Sequence, residues 1–214
     1  GGTTEATAFA QIAAEAGLDG IVSFAGRVDR PKRQPLPQRI GGFGGASGLA
    51  AFLRSEAITH AIDATHPFAA QMSRNAVDGC ASANVPLIAL TRPGWSAQPG
   101  DRWHRVTSNA QAAEFLDSAP RRVLLAIGRM HLADFAGNPQ HHYVLRLVDP
   151  PASPPPFPLH EVIVSRGPFT VNDDLALLRD HAIDLVVSKN SGGTGAYAKI
   201  AAARQLNLPV LMID

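Results

Sequence analysis

Short apolar runs alternate with helical repeats along the whole chain. Over residues 4–16 the apolar positions Phe9, Ile12, Ala13 and Ala16 recur at helical spacing, and Gly17 follows as a C-cap. Residues 20–24 read as a strand closing on Ala25-Gly26-Arg27. Residues 38–40 read as a short strand that meets Gly41-Gly42-Phe43-Gly44-Gly45, ahead of a helix over 49–56. Residues 58–62 are β-like and run into Asp63-Ala64-Thr65-His66-Pro67-Phe68-Ala69, followed by a helical run over 71–83. The helix is expected to begin at Pro67, because proline's missing N–H would be unpaired at a first helical position anyway. Residues 85–90 form a further strand ending in Thr91-Arg92-Pro93-Gly94-Trp95.

The second half repeats the alternation. Residues 103–106 are a weak strand, and Ser108-Asn109-Ala110-Gln111 has the form of a capping box opening a helix to about 118. Strands are expected over 122–127, ending in Gly128-Arg129-Met130-His131, over 142–148, and over 161–165, closing on Arg166-Gly167-Pro168-Phe169. Six prolines within 150–158 make a stiff loop, since proline cannot join an interior strand or helix. Thr170-Val171-Asn172-Asp173 again caps a helix. Residues 184–188 form a strand followed by Lys189-Asn190-Ser191-Gly192-Gly193-Thr194-Gly195, a helix over 196–206 and a last strand over 210–213. Such alternation is the signature of parallel sheets covered by helices, an α/β class. The domain boundary is expected near 103–108, giving domains 1–105 and 106–214.

Composition narrows the picture. A chain of 214 residues holds one large or two small α/β domains, and 45% hydrophobic residues suffice for a core. Acidic and basic residues number 18 and 19, so no net field points to nucleic acid or a membrane surface. No apolar stretch approaches the roughly 20 residues that span a bilayer, and no signal-peptide pattern is read. The lone Cys80 excludes an internal disulfide, fits a reducing cytoplasm, and sits in an Ala-rich helical run as a core residue. Gly1-Gly2-Thr3-Thr4-Glu5 reads as the turn after a strand, so a short hydrophobic segment is expected before it.

The candidate chemistry lies at strand ends, where open α/β sheets bind ligands. Asp63, Thr65 and His66 stand at one such end; the alternative is that Thr65 or His66 caps the helix and Asp63 ties down the turn. Gly1-Gly2-Thr3-Thr4 places glycines and hydroxyls at a helix start, either a phosphate-type turn or an ordinary tight turn, and the G-x-G-x-x-G fingerprint is absent. Arg27 follows the second strand, where NAD-binding folds carry an acid; an arginine suits the extra phosphate of NADP, or else is a solvated surface residue. The turn 189–195 offers a cation, an amide, hydroxyls and bare backbone N–H groups, and Arg129 and Arg166 also end strands. Cations converging from several strand ends suit a ligand with several carboxylates, or else are separate solvent-facing termini. No metal pattern appears among the histidines, and no G-x-S-x-G elbow occurs.

In chain order, Gly1-Gly2-Thr3-Thr4-Glu5-Ala6, Asp63-Ala64-Thr65-His66-Pro67-Phe68-Ala69, Arg92-Pro93-Gly94-Trp95 and Ser188-Lys189-Asn190-Ser191-Gly192-Gly193 resemble the precorrin-6A reductase family of cobalamin biosynthesis. The resemblance covers nearly the whole chain. It departs in lacking a strand before Gly1 and in stopping at Asp214, where the family usually runs on a few residues. The resemblance implies two Rossmann-like three-layer domains with mostly parallel sheets and a ligand cleft between them, residues 1–105 binding NADPH and 106–214 the tetrapyrrole. It implies reduction of one ring D carbon–carbon double bond of precorrin-6A to give precorrin-6B, or of the cobalt-containing substrate in members of the anaerobic route, with no metal needed.

The expected cofactor contacts are Gly1, Gly2, Thr3, Thr4, Ser23, Gly26, Arg27, Gly42, Gly44, Thr65, His66 and Pro67. The expected substrate contacts are Arg129, Arg166, Lys189, Asn190, Ser191, Gly192 and Gly193. The proton comes from His66, Lys189 or water. Two other classes stay open: a different two-domain NADP-dependent reductase, and a non-catalytic NADPH-binding sensor of the same fold. The chain is expected to be a cytoplasmic monomer without nucleic-acid or membrane partners.

Overall fold

Thr3 starts the first helix. Its side-chain oxygen accepts from Ala6 N at 3.1 Å and caps α1 (Thr4–Glu15). The helix ends as expected at Gly17: with φ +69 it donates to Ala14 O while Leu18 donates to Ala13 O, a Schellman closure. In a computed structural model, which describes residues 2–26, 31–116 and 119–214, the chain divides into two units, Gly1–Arg92 and Pro93–Asp214.

The first unit holds two parallel strand pairs. β1 (Val22–Phe24) pairs with β2 (Gln38–Ile40), and β3 (Ala61–Asp63) pairs with β4 (Leu87–Ala89). Helices α2 (Gly45–Ser55) and α3 (Ala70–Ala83) pack against each other through small residues. A β-carbon on Gly79 would stand 2.9 Å from the Ala46 carbonyl oxygen, so only glycine lets the two backbones approach so closely. Cys80, beside it, is buried as core, and burial followed by the charge of Asp63 pushes its thiol pKa up, which makes it inert.

The helix expected from Pro67 begins instead at Ala70. Residues 67 and 68 form a tight turn in which Ala69 N donates to the His66 carbonyl at 2.7 Å and Phe68 N donates to His66 Nδ1 at 3.2 Å. The turn is closed by His66, and α3 has no side-chain cap.

The second unit is built on one parallel sheet in the order β5 (Arg102–Val106), β10 (Pro209–Ile213), β9 (Leu185–Lys189), β6 (Arg122–Ala126), β7 (His142–Leu147), β8 (His160–Val164). The expected boundary at 105/106 therefore falls at the end of a strand whose backbone pairs with β10, Arg102 opposite Pro209 and Val106 opposite Ile213. The division lies earlier, after Arg92. Helix α4 (Asn109–Phe115) packs with β5 and β10 and with a 3-10 helix over Arg129–Phe135, for which the sequence reading assigns no element. Helices α5 (Val171–Asp180) and α6 (Ala198–Gln205) lie together over a core of Leu124, Val144, Val186, Val210 and Met212 from the strands and Leu178, Ile200, Ala202 and Ala203 from the helices. Each of the Leu, Ile, Val and Met side chains, fully buried, contributes roughly 1.5–3 kcal/mol.

Candidate functional site

In the first unit the candidate residues gather where strands end. Thr3 Oγ1 caps α1 and also donates to Ala64 O at 2.9 Å, tying the helix start to the segment after β3. Asp63 Oδ1 accepts from Thr65 N at 3.0 Å, and Thr65 Oγ1 lies 3.3 Å from Ser73 Oγ. Burial alone would raise the Asp63 pKa, but hydrogen bonds from Ser73 and from the side chain and backbone of Thr65 outweigh it, so the carboxyl is held below its ordinary value. Because His66 Nδ1 accepts from Phe68, the neutral ring carries its proton on Nε2, with His66 exposed. At the end of β4, Arg92 forms an ion pair with Glu5 of α1.

The loop after β2 is open on one side. β-Carbons added at Gly2, Gly41, Gly42, Gly44 or Gly45 would meet nothing within 4 Å. Arg39 holds the loop from within: it donates to the carbonyls of Gly41 and of Gly42, the latter at 2.9 Å, and its guanidinium lies 4.0 Å from the Phe43 ring centre. Gly48 is more tightly constrained, since a β-carbon there would stand 1.7 Å from the Phe43 carbonyl oxygen.

In the second unit the decisive feature is topological. From β6 the chain winds to β7 and then β8; from β9 it winds the opposite way to β10. The neighbouring carboxyl ends of β6 and β9 are thus a switch point, where parallel sheets open a ligand crevice. Arg129 follows β6 and Lys189 ends β9. Burial lowers the Lys189 pKa, and Asp134 from the 3-10 helix partly restores it. Gly192 and Gly193 follow with φ +64 and +66, a succession of left-handed residues that other side chains rarely adopt and that can aim backbone N–H groups at an anion.

The turn is held from behind. Asn190 N donates to Ile213 O at 2.7 Å, and Asn190 Nδ2 donates to Asp214 Oδ1 at 2.8 Å. Asn190 Oδ1 accepts from Trp95 N at 2.6 Å, and Trp95 Nε1 donates to Gly193 O at 2.7 Å. Asn190 and the Gly193 carbonyl are therefore engaged in structure, while Ser191 is 5% exposed. Arg166 forms an ion pair with buried Asp149 and donates to Val148 O at 3.3 Å.

A family model described as "Precorrin-6x reductase CbiJ/CobK" matches residues 1–214. The chain belongs to this family. It is 56% identical to the protein named precorrin-6A reductase of Rhodobacter capsulatus, over all of this chain and 85% of that protein. It is 50% identical to the precorrin-6A reductase of a Sinorhizobium species, over all of this chain and 82% of that protein. A solved structure titled "CobK precorrin-6A reductase" superposes with a TM-score of 0.98 at 56% identity, covering all of this chain and 85% of that one. A more distant relative, the cobalt-precorrin-6A reductase of Priestia megaterium, is 27% identical over 99% of this chain and 87% of its own.

Within this CbiJ/CobK chain, Gly2, Thr3, Thr4, Gly26, Gly42, Gly44, Thr65, His66 and Pro67 stand at helix starts or after strands of the first unit, whereas Ser23 lies inside β1, opposite Arg39 of β2. Gly1 and Arg27 lie outside the described residues. The sequence reading missed the residues that act on the turn 189–195 from behind: Trp95, Asp214 and Lys199. Lys199 left a trace, since it shares a helix face with Ala202 and Ala203, both core residues. Among the described residues, no group of three or more His, Cys, Asp or Glu side chains is placed to hold a metal ion, and no helix is long and apolar enough to cross a membrane.

Proposed function

We propose that this chain reduces a ring D carbon–carbon double bond of precorrin-6A with NADPH, giving precorrin-6B in cobalamin biosynthesis. One observation carries the reading: a chain aligned over its whole length with precorrin-6A reductases has a lysine and successive left-handed glycines at the β6/β9 switch point, a cation beside a glycine turn that suits a carboxylate. The metal-free substrate is favoured because relatives named precorrin-6A reductase are 38–56% identical over the whole chain, whereas those named for the cobalt form are 27–32% identical.

The first unit is the reading's NADPH holder. The α1 start at Gly2, Thr3 and Thr4 and the open glycine loop fit a dinucleotide, because β-carbons added at Gly2, Gly41, Gly42, Gly44 or Gly45 would meet nothing within 4 Å, so the glycines leave room for phosphates. When bound, NADPH supplies a hydride to one carbon of the double bond. The chain's own part is orientation and charge: Lys189 at the end of β9 and Arg129 after β6 anchor substrate carboxylates, and His66 Nε2, Lys189 or water delivers a proton to the neighbouring carbon.

Anaerobic mixing with NADPH and precorrin-6A should oxidise NADPH and yield the dihydro product. NADPH oxidation with an unrelated small ketone, and none with the macrocycle, would exclude the reading. NADPH binding without turnover on any macrocycle would mark a sensor instead.

A further inference from the structure

The second unit buries a charged cluster that the proposed reaction leaves unused. Lys199, in the first turn of α6, is 3% exposed, and its Nζ donates to Ala196 O at 2.7 Å. The same ammonium lies 5.1 Å from the centre of the Trp95 ring. Asp174, in the first turn of α5, is 2% exposed; one carboxylate oxygen pairs with Arg146 from β7, and Oδ2 is buried with no hydrogen-bond partner among the described residues. Burying such groups is costly unless each is paired, so a lysine kept here has a task that an apolar residue would not perform.

That task is visible in what Lys199 touches. Ala196 ends the turn after Gly192-Gly193-Thr194-Gly195, and Trp95 donates from its indole to Gly193 O in the same turn. One buried cation thus grips the turn's last carbonyl directly and its middle through the indole. Trp95 also packs against Tyr197, with ring centres 5.6 Å apart, whose hydroxyl accepts from Arg204, itself paired with Asp101. We propose that Lys199 is the positioning residue of the glycine turn: it clamps Ala196 O and the face of Trp95 and so sets the backbone against which a substrate carboxylate docks. The proposal rests on the reading of the turn 189–195 as the carboxylate site.

The clamp senses pH. Burial, followed by the field of Arg146, lowers the Lys199 pKa to about 7, against the partial restoring pull of Asp174. The charged groups acting on it are Arg146 from β7 and Asp174 from α5, while Arg204 on its own helix is engaged by Asp101 and by the Tyr197 hydroxyl. The β10 strand brings only apolar side chains. Loss of the proton near neutrality weakens the grip on Ala196 O and removes the cation from the indole face.

The chain has only two tryptophans, Trp95 and Trp103. The buried Trp103 Nε1 has no hydrogen-bond partner among the described residues, so Trp103→Phe removes an unpaired donor and leaves Trp95 as the sole emitter. In that background, Trp95 emission should shift with a midpoint near pH 7. The shift should vanish in Lys199→Met and persist in Lys189→Ala. Lys199→Met should also raise KM for the macrocycle about tenfold while kcat stays within about twofold. A flat emission profile in the parent, a transition that survives Lys199→Met, or an unchanged KM in a folded Lys199→Met protein would each overturn the proposal. If Lys199→Met does not fold, the parent's emission profile still decides. Should Lys189→Ala leave KM unchanged while the emission behaves as expected, the carboxylate reading fails and the clamp stands.

Discussion

Asn190 brackets the backbone of Trp95: its Oδ1 accepts from Trp95 N at 2.6 Å, and its Nδ2 donates to Trp95 O at 3.1 Å. The same Nδ2 donates to Asp214 Oδ1 at 2.8 Å. Asn190→Asp keeps the acceptor, loses both donations and sets a second carboxylate against Asp214. It should lower the unfolding free energy by about 1–3 kcal/mol at neutral pH, more than Asn190→Ala. Urea denaturation of both variants checks the order.

Lys189 is expected to hold a substrate carboxylate. A charge-assisted bond contributes roughly 1.5–3 kcal/mol, so Lys189→Ala should raise macrocycle KM about tenfold or more with NADPH affinity unchanged. Because burial depresses the Lys189 pKa, the parent should also lose substrate affinity as pH rises through that lowered value, and the variant should lack this alkaline limb. A loss confined to NADPH would assign the turn to the cofactor.

Gly48 and Gly42 should behave oppositely. At Gly48 an added β-carbon meets the Phe43 carbonyl at 1.7 Å, so Gly48→Ala must displace the start of α2 and should cost on the order of 3 kcal/mol. At Gly42 there is open space, so Gly42→Ala should leave stability within about 0.5 kcal/mol and weaken NADPH instead. Thermal melts and a fluorescence titration with NADPH separate the two effects.

Asp63 should stabilise the first unit only while ionised. Its folded pKa lies below the unfolded value, so the stabilisation is present above the unfolded pKa and is lost as pH falls through the folded one. Asp63→Asn should therefore cost about 1–2 kcal/mol at neutral pH, and the gap should close in acid. A gap that stays constant down to low pH would remove the carboxylate's charge from the account.

Arg27, which ends the second strand of the sequence reading, is expected to contact the 2′-phosphate of NADPH. Arg27→Ala should weaken NADPH by about tenfold to a hundredfold and leave NADH nearly untouched. Equal losses for both dissociation constants would place Arg27 on the pyrophosphate or in the fold.

Local signals were legible wherever the chemistry was local. Thr3, Ser108 and Thr170 each cap a helix as their hydroxyls suggest, and β2 spans the expected residues 38–40. Pro67 misled because His66, one residue earlier, closes its own turn and delays the helix to Ala70. The boundary near 105 misled because nothing local in Arg102–Val106 tells which distant strand it will join.

The sequence by itself determined the α/β alternation, the family, and the glycine- and cation-bearing strand ends, because caps, turns and periodicity are written in neighbouring residues. Only the tertiary structure decided that β6 and β9 lie side by side as a switch point, and that Arg166 is taken by Asp149. It also decided that Lys199, Trp95 and Asn190 converge behind one turn. Such pairings join residues up to about a hundred positions apart, such as Trp95 and Asn190 with a separation of 95. They follow from the order in which the strands pack, which no short stretch of chain encodes.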